Sequence, residues 1–266
     1  MGEITLGQYY PTNSILHRLD PRVKFLGTLV YIVALFLVRG PAGYAVCAAA
    51  LISMIVLSKV PFRYVLKSLK PVVLIMAVTM LFNLLLTPGE VLWRFWIFKI
   101  TEEGIRMAAK MGIRLVFLVS GSSIMTLTTT PNALTDAMER LFGFLKIIHV
   151  PVHEIAMMMS IALRFIPILT EETDKIKKAQ IARGADFETG GFVKRMRAMI
   201  PLLVPLFVSA FRRANDLAMA MEARCYHGGA GRTQMKPLRY RKADYIAWAV
   251  VAAFLAVCIC LSVTGW

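Results

Sequence analysis

Apolar residues in this chain of 266 residues come in long unbroken runs, not in the alternation of a half-buried strand. A helix that crosses a bilayer needs about 20 mostly apolar residues, with a range of about 17–25. Five runs fit: residues 23–38, 42–58, 72–86, 107–127 and 245–263. The first two are separated by the turn Arg39-Gly40-Pro41, and the third is closed by Thr87-Pro88-Gly89. Two more runs are shorter. Residues 155–169 are interrupted by Arg164 and Pro167. Residues 199–211 contain Pro201 and Pro205 and lie between Lys194-Arg195-Met196-Arg197 and Arg212-Arg213.

Charge decides whether those two runs span. If both did, residues 171–197 would face outside with seven Lys/Arg, against the positive-inside rule. Five spans with the N-terminus inside place the leader, residues 59–70 and residues 128–242 in the cytoplasm. These hold 3, 4 and 18 of the 31 Lys/Arg, and the C-terminus is then outside. The first run has no small-residue cleavage site after it and reads as a retained span. The expected organisation is a four-span bundle over residues 1–129, a cytoplasmic helical region over 130–243 and a final span over 244–266.

The long cytoplasmic region is patterned as helix. Thr130-Pro131 is an N-cap followed by proline at the first helical position, which starts a helix over 132–148. A second helix is expected over 151–183 and a third over 192–226. The second is ended by Gly184 and Gly190-Gly191, the third by Gly228-Gly229. Each is apolar in one half and charged in the other. Such helices lie at the bilayer boundary or pack under a spanning bundle.

Composition strengthens the membrane reading. The chain is 58% hydrophobic with mean hydropathy +0.63, and its net charge is +15. In a soluble protein that charge would suggest nucleic acid, but no binding motif accompanies it. Anionic membrane lipid and acidic protein surfaces are the expected partners instead. Of the four cysteines, Cys47, Cys258 and Cys260 lie in apolar runs and Cys225 does not; without a CxxC pair there is no zinc or disulfide framework. No phosphate-binding Gly-rich loop is present, so the chain is not expected to hydrolyse nucleotide, and no cofactor is implied. His149 and His153 are four residues apart beside Glu154, but a third metal ligand is lacking. They read as a helix entry around Pro151. Met157-Met158-Met159 reads as an adaptable packing surface. The spans carry no Asp or Glu of the kind an ion-coupled transporter keeps at membrane depth. Lys110 and Arg114 snorkel to a membrane edge.

One short pattern occurs twice. "QIARGADFETGG" and "MEARCYHGGAG" each place Ala, Arg and a small residue before a Gly-rich break. The residues are Ala182, Arg183 and Gly184, then Ala223, Arg224 and Cys225. A cation near a helix C-terminus complements the helix dipole, which alone could account for one Arg. The repetition favours docking. Small neighbours let the helix end approach a partner, and guanidinium presents a rigid fork of donors to a carboxylate.

With these motifs and the leader "QYYPTNSILHRLDPRVK", the chain resembles the T component (EcfT) of energy-coupling factor (ECF) transporters over most of its length. Ala223-Arg224-Cys225 departs from the usual Ala-Arg-Gly by one small residue, which puts only local backbone detail in doubt. The resemblance implies an all-α, L-shaped integral membrane protein of a prokaryotic plasma membrane, with about five transmembrane helices and long cytoplasmic coupling helices. It implies that the two arginines dock into two EcfA-type ABC ATPases, one each. It also implies a separate S component that captures a vitamin or metal and leans on an apolar surface of this chain. A self-contained permease or channel with a basic lipid-binding region is the rival reading. A membrane enzyme acting on lipid is disfavoured, since no carboxylate or His cluster is present.

Overall fold

The computed structural model describes residues 9–38, 40–89, 91–95, 98–187, 191–229, 235 and 237–263. Of the positions named above, Gln8, Arg39, Gly190 and Gly231 lie outside these. The chain forms two compact units: Met1–Ala137 with Leu238–Trp266, and Met138–Pro237.

The first unit is a helical bundle. A single turn, α1 (Ile15–Arg18), leads into α2 (Pro21–Leu37), α3 (Pro41–Ser58), the paired α4 (Phe62–Leu69) and α5 (Val73–Leu86), α6 (Glu102–Thr128), and the C-terminal α10 (Lys242–Val263). Proline at the first helical position starts both α2 and α3. Tyr31, Ala34 and Leu35 of α2, Cys47 and Leu51 of α3, Ile124 of α6 and Cys258 of α10 form the buried core. Small residues set the helix spacing. A Cβ on Gly121 would come within 2.5 Å of the Tyr31 ring, and one on Gly112 within 2.9 Å of the Met80 sulfur. Close helix approach over glycine is what packing in lipid uses in place of a hydrophobic drive. The outward faces stay apolar, as on α5, where Leu74 is 74% exposed.

Helices α3, α6, α10 and α8 (Val152–Ala182, in the second unit) are each long and apolar enough to cross a membrane. Helices α4 and α5, bent by 60° at their junction, add a fifth if taken as one broken span. At 17 residues, α2 sits at the lower limit of spanning length. The expected count of about five therefore agrees, while the membership differs. The sequence reading includes α2 and takes 155–169 as too short. Helix continues through Pro167, so length and composition admit α8, and only the charge argument sets it aside.

The all-α expectation needs one addition. Between α5 and α6 the chain pairs with itself as an antiparallel hairpin, β1 (Val91–Phe95) with β2 (Phe98–Thr101), in which Arg94 faces Lys99. A stretch of valine, isoleucine and aromatic residues too short for another helix satisfies its backbone this way.

The second unit contains the end of α7 (Pro131–Leu141), a 3-10 helix (Phe142–Ile148), α8 and α9 (Phe192–Glu222). The expected N-cap is present: the Ala133 amide donates to Thr130 Oγ1 at 3.3 Å. The helix expected over 132–148 tightens to 3-10 geometry in its second half and stops at His149, whose φ is 60°. Both 31-residue helices run unbroken through their prolines. Pro205 lacks an N–H, which leaves the Pro201 carbonyl without its helical donor. The Gln180 side chain of α8 donates there at 3.4 Å.

Candidate functional site

Arg183 and Arg224 cap two helices in the same way. The Gly184 amide donates to Ile181 O and the Ala185 amide to Gln180 O, both at 2.9 Å. Forty-one residues on, the Cys225 amide donates to Glu222 O at 2.8 Å and the Tyr226 amide to Met221 O at 3.1 Å. These are the two crossed bonds of a Schellman motif, with arginine at the cap and the next residue left-handed. That next residue is Gly184 at φ +88° in one case and Cys225 at φ 55° in the other. The sequence reading puts the arginines in the last helical turns; they stand at the caps, just past the helix. Cys225 adopts the left-handed conformation in spite of its Cβ, so the departure from glycine changes local strain and leaves the cap intact. Ala182, Arg183, Gly184, Ala223, Arg224 and Cys225 are all exposed. Among the described residues neither guanidinium has a hydrogen bond or ion pair.

The two caps lie at opposite ends of one antiparallel helix pair. Gln180 of α8 meets Pro201 of α9; Glu172 accepts from Arg213 Nη2 at 3.1 Å and from the Ser209 hydroxyl; Ile161 and Phe165 share a seam with Leu217 and Met221. The sequence positions run in opposite senses, so Arg183 and Arg224 are separated by roughly 30 Å of helix rise. On α9, Val204, Phe207, Val208 and Phe211 line an open groove next to Arg212 and Asp216, and Phe211 is 68% exposed.

The surroundings of the caps differ. A Cβ on Gly184 would meet nothing within 4 Å. Beyond Arg224 the chain turns at Gly228, φ +93°, and Gly229 lies against the His153 ring, where a Cβ would be 2.3 Å from Cδ2. His153 Nδ1 is 2.7 Å from Glu139 Oε1. His153 is therefore a packing and hydrogen-bonding residue at the start of α8, as the helix-entry reading of His149 and His153 implies. Among the described residues no group of three potential metal ligands occurs.

The leader is fixed by a polar cluster that the sequence reading misses. Asp244 is 1% exposed, and its carboxylate accepts from the Asp20 amide at 2.8 Å and the Arg241 amide at 2.6 Å. Asp20 pairs with Arg22 at 2.8 Å, and the Arg22 guanidinium lies 4.1 Å over the Tyr240 ring. Burial alone would raise the Asp20 carboxyl, but the Arg22 hydrogen bonds outweigh it and hold it below the usual carboxylate range. Lys24 Nζ donates to Thr128 O at 2.9 Å, at the C-terminus of α6. His17 Nε2 is 2.9 Å from Tyr10 O and Nδ1 is 2.7 Å from Ser14 Oγ. Burial pushes His17 below its ordinary value, against the raising effect of the Tyr10 carbonyl. An Asp in the first turn of the last helix was the available signal, but its partner lies more than two hundred residues away. Arg114 Nη2 donates to the Val38 carbonyl at the end of α2, at 3.4 Å, and so caps that helix.

Comparison with known proteins gives the wider setting. The family model described as cobalt transport protein matches residues 12–236. The energy-coupling factor transporter transmembrane protein EcfT of Acidaminococcus fermentans is 50% identical over 264 residues, covering 99% of this chain and 97% of that protein. The EcfT protein of Thermanaerovibrio acidaminovorans is 52% identical over 254 residues, covering 96% and 94%. That of Bacillus subtilis is 44% identical over 259 residues, covering 96% and 98%. Matches of this extent, on a helical membrane chain with paired arginine caps, place it among the transmembrane components of energy-coupling factor transporters: the chain belongs to the EcfT family.

Proposed function

We propose that this chain is the coupling subunit of an ECF-type importer. Arg183 and Arg224 each dock into one of two EcfA-type ABC ATPases, and those partners hydrolyse ATP. The helix pair α8–α9 transmits their motion to an S component that carries a vitamin or another micronutrient. The observation that carries this reading is the same arginine cap at both ends of one antiparallel pair. Two equivalent prongs at opposite ends of the pair suit two similar partners better than one. A guanidinium without partners among the described residues is available for a bidentate bond to a carboxylate. Since a ligand shifts a two-state element only through its differential affinity, the driving energy must enter through whatever grips these caps. The apolar groove of Val204, Phe207, Val208 and Phe211 offers the S component a surface on the same lever. The N-terminus is cytoplasmic and the C-terminus outside, which puts the caps where ATP is available.

The test is substitution of each arginine by alanine in the assembled transporter. Loss of ATPase co-purification and uptake is expected for the double variant, with partial loss for each single one. Full retention in all three would overturn the docking role. Substrate flux by the purified chain alone in liposomes would favour a self-contained permease instead.

A further inference from the structure

The two ends of the α8–α9 pair carry very different charge. At the Arg183 end, α8 contributes Lys175 and Lys178, and the start of α9 contributes Lys194, Arg195 and Arg197. All five are exposed, as is Arg183 itself. The contact of Gln180 with Pro201 brings the two stretches to one end of the pair. None of these cations has an ion pair among the described residues; the nearby acids described are Glu171, Glu172, which feels the charge of Lys175, Asp174 and Asp186. At the other end, residues 217–229 hold one acid, Glu222, and one cation, Arg224, and the next cations in sequence are Arg232 and Lys236. Next to them, Glu139 and Glu154 offset Arg140.

Local stability does not explain the difference. Lys194, Arg195 and Arg197 occupy the first turns of α9, where the helix dipole disfavours cations, and the first turn holds no acid. Membrane orientation does not explain it either. Cytoplasmic positive charge serves the positive-inside rule wherever it lies along the pair, yet it is gathered at one end. A cluster kept where it costs helix stability, around the proposed docking arginine, fits an opposite charge on whatever docks there.

We propose that the Arg183 end is an electrostatic docking face for an acidic surface on the ATPase that takes Arg183, whereas the ATPase at Arg224 is held by a single guanidinium with little surrounding charge. This rests on the docking reading above and adds a distinction between its two partners. The Arg183 partner associates faster and is the one released by salt, because exposed charges separated by more than about 8–10 Å are largely screened at physiological ionic strength.

The nucleotide-free complex with both ATPases provides the test. In a Cys260→Ser background, the native Cys225 reports on one end and Ala185→Cys on the other, each through protection from a polar maleimide by the bound ATPase. Raising salt from about 0.05 to 0.5 M should speed labelling of the Ala185→Cys reporter by about tenfold or more, and labelling of Cys225 by less than about threefold. The Lys194→Gln/Arg195→Gln/Arg197→Gln variant should lose protection at the Ala185→Cys reporter at low salt while keeping it at Cys225. Equal salt curves at both ends would overturn the proposal. So would a triple variant that keeps both protections but no longer sediments with phosphatidylglycerol vesicles, which would assign the cluster to lipid. If Arg183→Ala and Arg224→Ala leave both reporters protected, the docking reading itself is wrong. If each exposes its own reporter while the triple variant changes nothing, only the charge distinction fails.

Discussion

The two arginine caps have the same hydrogen bonds but opposite surroundings. At the Arg183 cap the left-handed residue is glycine, a Cβ there would meet nothing within 4 Å among the described residues, and cations occupy the neighbouring turns. The Arg224 cap is braced: its left-handed residue is cysteine, and the chain that follows rests on His153, which Glu139 holds. A repeated motif thus fixes the position of the guanidinium, while its neighbourhood sets how stiffly the guanidinium is held and what field surrounds it.

The largest expected effects come from the arginines. Loss of one charge-assisted bond costs about 1.5–3 kcal/mol, or roughly a tenfold to hundredfold drop in affinity at that end. Arg183→Ala and Arg224→Ala should each weaken ATPase binding at its own end to that extent, with a partial loss of uptake in a reconstituted transporter. Equal losses at low and high salt would remove the distinction between the ends.

Next in size is the brace. Gly229→Ala forces a methyl into the His153 ring and should cost about 1–3 kcal/mol locally. It should weaken protection of Cys225 without touching the Arg183 end. His153→Ala removes the ring, so the double variant should recover. A double variant as impaired as Gly229→Ala would show that the contact does not position the cap.

Smaller effects, of opposite sign, are expected at the left-handed residues. Gly184→Ala introduces a Cβ at φ +88° and should destabilise its cap by about 1 kcal/mol. Cys225→Gly relieves the same strain and should stabilise its cap by a similar amount. Thermal unfolding of the purified chain with each variant reads both.

The smallest is a control that spares both ends. Because His17 is depressed in the folded chain, the unfolded state binds its proton first as pH falls. The stability contributed by the neutral ring is complete above pH ~6.5 and should decline as pH falls from there through the lowered folded value. His17→Gln should flatten that dependence in thermal unfolding and leave both caps as they were.

Much of this was readable in the chain. Thr130-Pro131 marks a real helix start, Thr87-Pro88-Gly89 follows a helix that ends at Leu86, and the long helices end beside the predicted arginines. These signals act over a few residues, so a linear pattern holds them. The contacts of Asp244 with Asp20, Gln180 with Pro201 and Gly229 with His153 join distant positions, and no spacing rule encodes them. The pairing of Val91–Phe95 with Phe98–Thr101 has no counterpart among the sequence expectations, because register between two short stretches sets it and apolar run length does not.

The Glu172–Arg213 pair joins the two helices midway between the caps. Arg183 follows Glu172, and Arg224 follows Arg213, by about three helical turns, so each cap sits roughly 16 Å from the clip. Equal parallel pulls at equal distances exert no net torque about that point. Under the proposed docking, a difference between the pulls at the two ends would tilt the pair.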